Sequence, residues 1–237
     1  MNYIKEKILR YIKEGRIRVA VQPVFDSLDG KTLYNEILCR IDSGLSIDVS
    51  QFIIEAERLR IVDLVDEAVF EIVINTLLSK KLGYIAVNMS SYSLGSKRYV
   101  DSIITLYQKH AKSYPIIIEV TETYLPMNFE FVIANINKLK SFGFSFAIDD
   151  FGSGLISIPY LKKISADYIK INKMFIQNIE NDSFNQAMVK SMIKLCNSLN
   201  IKLIAECVET VETHEYLLSI GIRYMQGFLF GMPYFMS

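Results

Sequence analysis

Short apolar runs recur along this chain with helical patterns between them, and a charged or amide residue interrupts or ends most of the runs. That recurrence constrains the fold more than any other feature. The strand-like runs cover residues 19–24, 33–41, 84–87, 116–120, 144–148, 168–171, 201–205 and 223–226. Helical spacing of apolar residues covers 50–59, 61–81, a stretch ending near 113, 129–142, 184–199 and 212–220, with a further short helix before 168. Strands alternating with helices specify an α/β fold built on parallel pairing rather than segregated sheets. The pattern predicts a TIM-like (β/α)8 barrel, with a doubly wound open sheet as the structural alternative. Between the first two runs stands only the turn Ser27-Leu28-Asp29-Gly30, too short for a helical crossover, so the first strand is expected to be antiparallel to the second.

The chain has 237 residues, of which 51% are apolar, and no linker rich in Pro, Gly or Ser divides it. One domain over 1–237 is the expectation, with a large core that needs no disulfide or metal staple. Within it, 1–15 reads as an amphipathic helix through Ile4, Ile8, Tyr11 and Ile12, packed on the barrel or docked to a membrane or partner. Acidic and basic residues balance at 26 each, against a long nucleic-acid partner and compatible with a small anionic ligand. Cys39, Cys196 and Cys207 have neither zinc-site nor disulfide-framework spacing and read as thiols of a cytoplasmic protein. No apolar run approaches the roughly 20 residues of a membrane span, and no signal-peptide layout opens the chain.

Glu36, Asn88, Glu119, Asp149, Asp150, Lys170 and Glu206 each interrupt or terminate a strand-like run. Barrel strands end on one face, so these groups are expected to meet there. Taken singly, Glu36 reads as an interior salt bridge, Asp149-Asp150 as a helix cap with its neighbour, and Asn88 as a cap. Together, five carboxylates repel one another, and divalent cations remove that cost. An oxygen-rich set without histidine favours Mg²⁺ or Mn²⁺, and it suffices for two ions about 4 Å apart, an arrangement suited to phosphodiester hydrolysis. Lys170 beside them either holds the attacking water, or takes its proton with a pKa depressed by burial and cations, or balances the carboxylates.

In order along the chain stand Glu36-Ile37-Leu38-Cys39-Arg40, Asn88-Met89-Ser90, Glu119-Val120-Thr121-Glu122, Asp149-Asp150-Phe151-Gly152-Ser153-Gly154, Lys170-Ile171, Ala205-Glu206-Cys207-Val208-Glu209-Thr210 and Gln226-Gly227-Phe228-Leu229-Phe230. This ordered set resembles the signatures of EAL domains, from about Gln22-Pro23 to Pro233. The resemblance implies hydrolysis of cyclic di-GMP to the linear dinucleotide. It implies Glu36, Asn88, Glu119, Asp149, Asp150 and Glu206 as metal ligands, with catalysis resting on Lys170, Glu36 and Asp150. Arg40 would grip a phosphate, Gln22 and Gln226 would sit beside the ligand, and Glu122 and Glu209 would support the site. It also implies a homodimer.

Three departures from the family pattern bear on turnover. Leu155 and Ile156 stand in the loop 152–158 where polar-tipped residues are usual, Asn172 stands for a usual Asp, and Cys207 for a usual Gly. The altered loop and Asn172 motivate the rival expectation of a weakly catalytic cyclic di-GMP receptor or protein-binding regulator. With no sensor or cyclase segment expected in the chain, control would come from expression, oligomerisation or another protein. His110 and His214 fit surface or structural roles, and the aromatic that stacks on guanine is not identifiable from sequence.

Overall fold

A computed structural model describes residues 2–42, 48–77, 82–111, 114–121, 129–153, 161 and 163–235. The chain opens with helix α1 (Asn2–Lys13), then the hairpin strands β1 (Ile17–Asp26) and β2 (Thr32–Ile41). These pair antiparallel from Ile17↔Ile41 to Phe25↔Thr32, as the short turn requires. Thereafter β3 (Ile85–Met89), β4 (Ile116–Thr121), β5 (Ser145–Phe151), β6 (Tyr168–Ile171), β7 (Lys202–Ala205) and β8 (Tyr224–Met225) follow one another in parallel from β2 onward. β1 closes the barrel by pairing antiparallel with β8 through Phe25↔Met225 and Asp26↔Tyr224. Only two residues of β8 pair there, and β9 (Tyr234–Phe235) continues the seam along β1 at Ala20 and Val21.

Helices wrap this sheet: α2 (Val49–Arg58), α3 (Val62–Ile72), α4 (Ser91–Leu94), α5 (Lys97–His110), α6 (Phe129–Ser141), α7 (Lys173–Ile176), α8 (Ser183–Leu199) and α9 (Val211–Ser219). Their starts are chemically marked: Asp48, Ser90, Ser96, Asn172, Asp182 and Thr210 each accept a backbone N–H of the first turn. α1 packs against the body of the protein. Its Ile8 and Tyr11 are buried, and the Tyr11 ring stacks on Phe52 of α2 at 6.3 Å. Among the described residues no helix is long and apolar enough to cross a membrane.

Some elements differ from expectation. The helix read over 61–81 loosens into a π turn over Val73–Leu77, where Ile72, Val73 and Ile74 crowd with β-branched side chains; 78–81 lie outside the described residues. The helix ending near 113 is two helices, because Ser96 caps a fresh start at α5. Asn88 caps nothing, since Ser90 holds that place, and Asp149 and Asp150 lie within β5.

Inside the barrel, side chains stack in layers because alternate strand residues point inward. Val24, Tyr34, Ala86, Ile117, Ala147, Tyr168 and Ile204 form one buried apolar layer. Two residues further along each parallel strand stand Glu36, Asn88, Glu119, Asp149, Lys170, Glu206 and, beyond Tyr224, Gln226. On antiparallel β1 the direction reverses, and Gln22 lies two residues before Val24, opposite Glu36. A polar storey thus rests on an apolar floor.

Tight loops roof that storey. Gly227 admits no side chain, for a Cβ would lie 2.0 Å from the Val208 carbonyl oxygen. Cys207, one residue earlier in the β7 loop, has φ 54°, a left-handed conformation that costs an L-residue about 1–2 kcal/mol. Glycine escapes that cost but gives back about 0.5–1 kcal/mol in unfolded-chain entropy. Cys207→Gly is therefore expected to stabilise the fold by about 0.5 kcal/mol and raise Tm by about 1–2 °C, read by differential scanning calorimetry. A lowered Tm would show that the thiol's contacts outweigh the backbone strain.

Candidate active site

The polar storey converges on one ammonium. Lys170 Nζ lies 2.8 Å from Glu206 Oε1, 3.0 Å from Glu36 Oε2, 3.0 Å from Glu119 Oε2 and 3.2 Å from Asp149 Oδ1. Lys170 is 1% exposed and Glu119 is 0% exposed, so water cannot screen these charges. Four carboxylates surround one cation, and the surplus negative charge shows in their protonation. Burial, reinforced by the neighbouring carboxylates and against the pull of Lys170, raises Glu119 well above the usual carboxylate range and raises Asp149. Burial likewise pushes Glu206 up to about 8. Glu36 goes the other way: against burial, Lys170 and the donors Gln226 and Asn88 hold its pKa below the ordinary value.

Lys170 sits in the charge-balancing position, one of the roles its place in the sequence leaves open. Burial favours its neutral form, but Asp149, Glu119, Glu206 and Glu36 outweigh burial and hold its pKa well above that of a free lysine. With these carboxylates around it, Lys170 is an ammonium that donates to them and balances their charge.

Amides hold the carboxylates in place. Asn88 Nδ2 donates to Glu36 Oε1 at 2.9 Å, and Gln226 Nε2 donates to Glu36 Oε2 at 2.7 Å. Gln22 Nε2 donates to the Gly231 carbonyl at 3.1 Å, tying the β8 loop to β1. Asp150 joins from a strand irregularity. The β5–β6 register shifts between Ile148 and Phe151, and Asp150 takes φ 57°, so two consecutive acids escape strict alternation between the sheet's faces. Asn172 Nδ2 donates to Asp150 Oδ1 at 2.7 Å while its own Oδ1 caps α7 through Met174 N–H. The amide at 172 therefore acts on Asp150, where a second carboxylate would repel it. Gly152, at φ 96°, leaves room for Phe175, which a Cβ would approach to 2.5 Å.

Arg40 lines a cleft of about 570 Å³ that also contains Asn88, Asp150, Glu57 and Asp66, with apolar walls from Val49, Ile53 and Ile54. Its Nη1 donates to the Cys39 carbonyl, which steadies the guanidinium. Glu209 is exposed and hydrogen-bonds none of the clustered groups among the described residues. Glu122 and loop residues 154–158 lie outside the described residues. A cleft of about 560 Å³ also opens at the opposite mouth, lined by Tyr84, Asp167, Tyr168, Lys202 and Tyr224. There Lys202 lies over the Tyr168 and Tyr224 rings rather than among converging carboxylates.

Two residues escaped the sequence reading. Tyr34, in the apolar floor, donates its hydroxyl to Glu119 Oε1 at 2.8 Å. Its position two residues before Glu36 is the signal that could have found it. Asp66 of α3 is buried and accepts Ser90 N–H at 3.0 Å and Ser93 Oγ–H at 2.6 Å, bracing the corner that follows Asn88.

The donor set suits a hard divalent cation. It consists of carboxylate and amide oxygens, four carboxylates share the single Lys170 ammonium, and Gln226 Oε1 is buried without a hydrogen-bond partner among the described residues. Among the described residues no three His, Cys, Asp or Glu side chains form a ready cage, because the carboxylates lean on Lys170.

The EAL domain profile matches residues 5–233. The chain is 33% identical over 96% of its length to the cyclic di-GMP phosphodiesterase PdeB of Shewanella oneidensis, and 33% identical over 73% of its length to the cyclic di-GMP phosphodiesterase PdeA of Borreliella burgdorferi. It spans 28% of each of those relatives. The solved PaMucR phosphodiesterase in complex with c-di-GMP superposes with TM-score 0.87 at 28% identity, covering 98% of this chain and 97% of that one.

Burial raises Asp66 to about 7, from an ordinary 3.8. Between those two pH values the folded chain holds a proton that the unfolded chain has lost, so this group's contribution to stability falls as pH rises through the window. Asp66→Asn keeps the shape and cannot ionise. Its Tm relative to the natural chain is expected to climb by several degrees from pH 5 to pH 8, and a difference independent of pH would show that Asp66 is already ionised at pH 5.

Proposed function

The chain belongs to the EAL-domain family, and from that premise we propose that it hydrolyses cyclic di-GMP to the linear dinucleotide with two Mg²⁺ or Mn²⁺ ions. The observation that carries this reading is the excess of buried oxygen ligands around Lys170 at the C-terminal mouth of the barrel. Relatives that match over most of the chain bear the name cyclic di-GMP phosphodiesterase, and the PaMucR structure holds c-di-GMP.

In this reading Glu36, Asn88, Glu119, Asp149, Asp150 and Glu206 hold the ions. Ions held there supply Lewis acidity toward the attacking water and neutralise charge on the phosphoryl oxygens. The residues of the chain do the rest. Lys170 holds the carboxylates in register and offers an N–H to an oxygen arriving between them. Arg40 meets a phosphate with its planar fork, for which an ordinary lysine would be a poorer fit. Asn172 holds Asp150 against its neighbour Asp149, and Gln226 and Asn88 fix Glu36 from both sides. The apolar side of the cleft, Val49, Ile53 and Ile54, offers a dry wall for a nucleobase.

A receptor that binds without cleaving is the second reading, favoured by the closed pairing of the carboxylates with Lys170. The free thiols Cys39, Cys196 and Cys207 support placement in the reducing cytoplasm. Homodimerisation rests on the family likeness alone, and light scattering on the purified chain would check it.

Purified protein incubated with cyclic di-GMP and Mg²⁺ or Mn²⁺ is expected to yield linear dinucleotide by chromatography. Chelator should abolish the product, and Glu36→Gln should cut the rate by more than about 100-fold. Tight binding in Ca²⁺ with no product in any divalent metal would establish the receptor instead.

A further inference from the structure

We propose that Tyr34 is a positioning residue that holds Glu119 in the orientation from which it takes a divalent ion, an inference that rests on the metal-dependent reading above. Tyr34 sits on β2 in the apolar floor, 1% exposed, directly beneath the polar storey. Its hydroxyl donates to Glu119 Oε1 at 2.8 Å while Lys170 Nζ meets Oε2 at 3.0 Å. Glu119 thus has a donor on each oxygen, one from the layer below and one from its own layer, and the plane of its carboxylate is fixed. Such fixation is the task of groups behind a metal ligand: they set ligand orientation and favour the charged form.

The hydroxyl is aimed by packing rather than by the carboxylate it serves. The Tyr34 ring meets Tyr168 edge-on, with centroids 5.6 Å apart and planes at 73°, and both rings lie in the same buried layer. Removing the hydroxyl alone leaves the ring where it is. Glu119 Oε1 would then be a buried acceptor without a partner, and the side chain could turn or take a proton to relieve it. Tyr34 lies under Glu119 and away from the cleft, so it acts through Glu119 and does not touch substrate. Asn88 and Gln226 differ in this respect, because they grip Glu36 from within the polar storey itself.

Mn²⁺ titration calorimetry on the full chain without substrate tests this, at a temperature where circular dichroism shows every variant folded. Tyr34→Phe is expected to bind Mn²⁺ about 10–100-fold more weakly than the natural chain. It should also lower kcat with KM for cyclic di-GMP unchanged. Tyr168→Phe removes a hydroxyl from the same layer that has no contact with Glu119, and it should bind Mn²⁺ as the natural chain does. Tyr34→Phe with unaltered Mn²⁺ affinity would overturn the inference, and so would equal weakening in both variants, which would mark a general softening of the floor. A natural chain that takes up no Mn²⁺ would overturn it too, since Glu119 would have no ion to be held for. A natural chain that binds Mn²⁺ and cleaves nothing would remove the hydrolase reading alone, and the isotherms would still decide the role of Tyr34.

Discussion

One buried ammonium facing four carboxylates, two buried and two partly buried, is the interaction on which the rest of this structure depends. Taking any of those charges out of water is expensive, and removing Lys170 alone would leave the carboxylates facing one another in a medium that screens poorly. The barrel makes the arrangement affordable by fixing each group to a different strand, so that no carboxylate can swing away to water. Even so the charges do not balance. Burial first, and crowding by the neighbouring carboxylates after it, raise the pKa values of Glu119, Asp149 and Glu206, so protons are retained where Lys170 alone does not hold the charge. Divalent cations are the natural complement to such a deficit.

The surrounding architecture serves that cluster. The apolar floor of Val24, Ala86, Ile117, Ala147 and Ile204 excludes water from below and sets the height at which the acids stand. The irregularity in β5 brings Asp150 to the cleft lined by Arg40 and Asn88, and the amide of Asn172 restrains it there. At the roof, Gly227 lets the loops after β7 and β8 lie backbone to backbone, which places Glu206 and Gln226 side by side. Each support is local and inexpensive, and each would fail with a different residue.

Much of this was legible in the sequence, for a physical reason. A parallel barrel turns strand ends into neighbours, so Glu36, Asn88, Glu119, Asp149, Lys170 and Glu206 could be grouped without knowing a single distance. The antiparallel first pair followed from the length of one turn. What stayed hidden depended on three-dimensional detail. Tyr34 reads as core because a tyrosine in an apolar run gives no sign of where its hydroxyl points, and Asp66 reads as the polar face of an amphipathic helix. The sequence leaves Lys170 as water holder, base or counter-charge, because which neighbours outweigh burial depends on distances; four carboxylates close around it raise its pKa. Asn172 gives no sign in the sequence of its partner, because its side chain turns to Asp150 on a neighbouring strand. Strand β9 pairs over two residues, too short for any periodicity to announce.

If the crowded carboxylates serve a divalent cation, they must bind one where they converge on Lys170. Crystals of the chain soaked in Mn²⁺ and measured at the manganese absorption edge test it most directly. Two anomalous peaks bounded by Glu36, Asn88, Glu119, Asp149, Asp150 and Glu206 are the predicted result. An empty anomalous map, with Lys170 still bonded to Glu36 and Glu119, would contradict it and leave the lysine as the cluster's sole counter-charge.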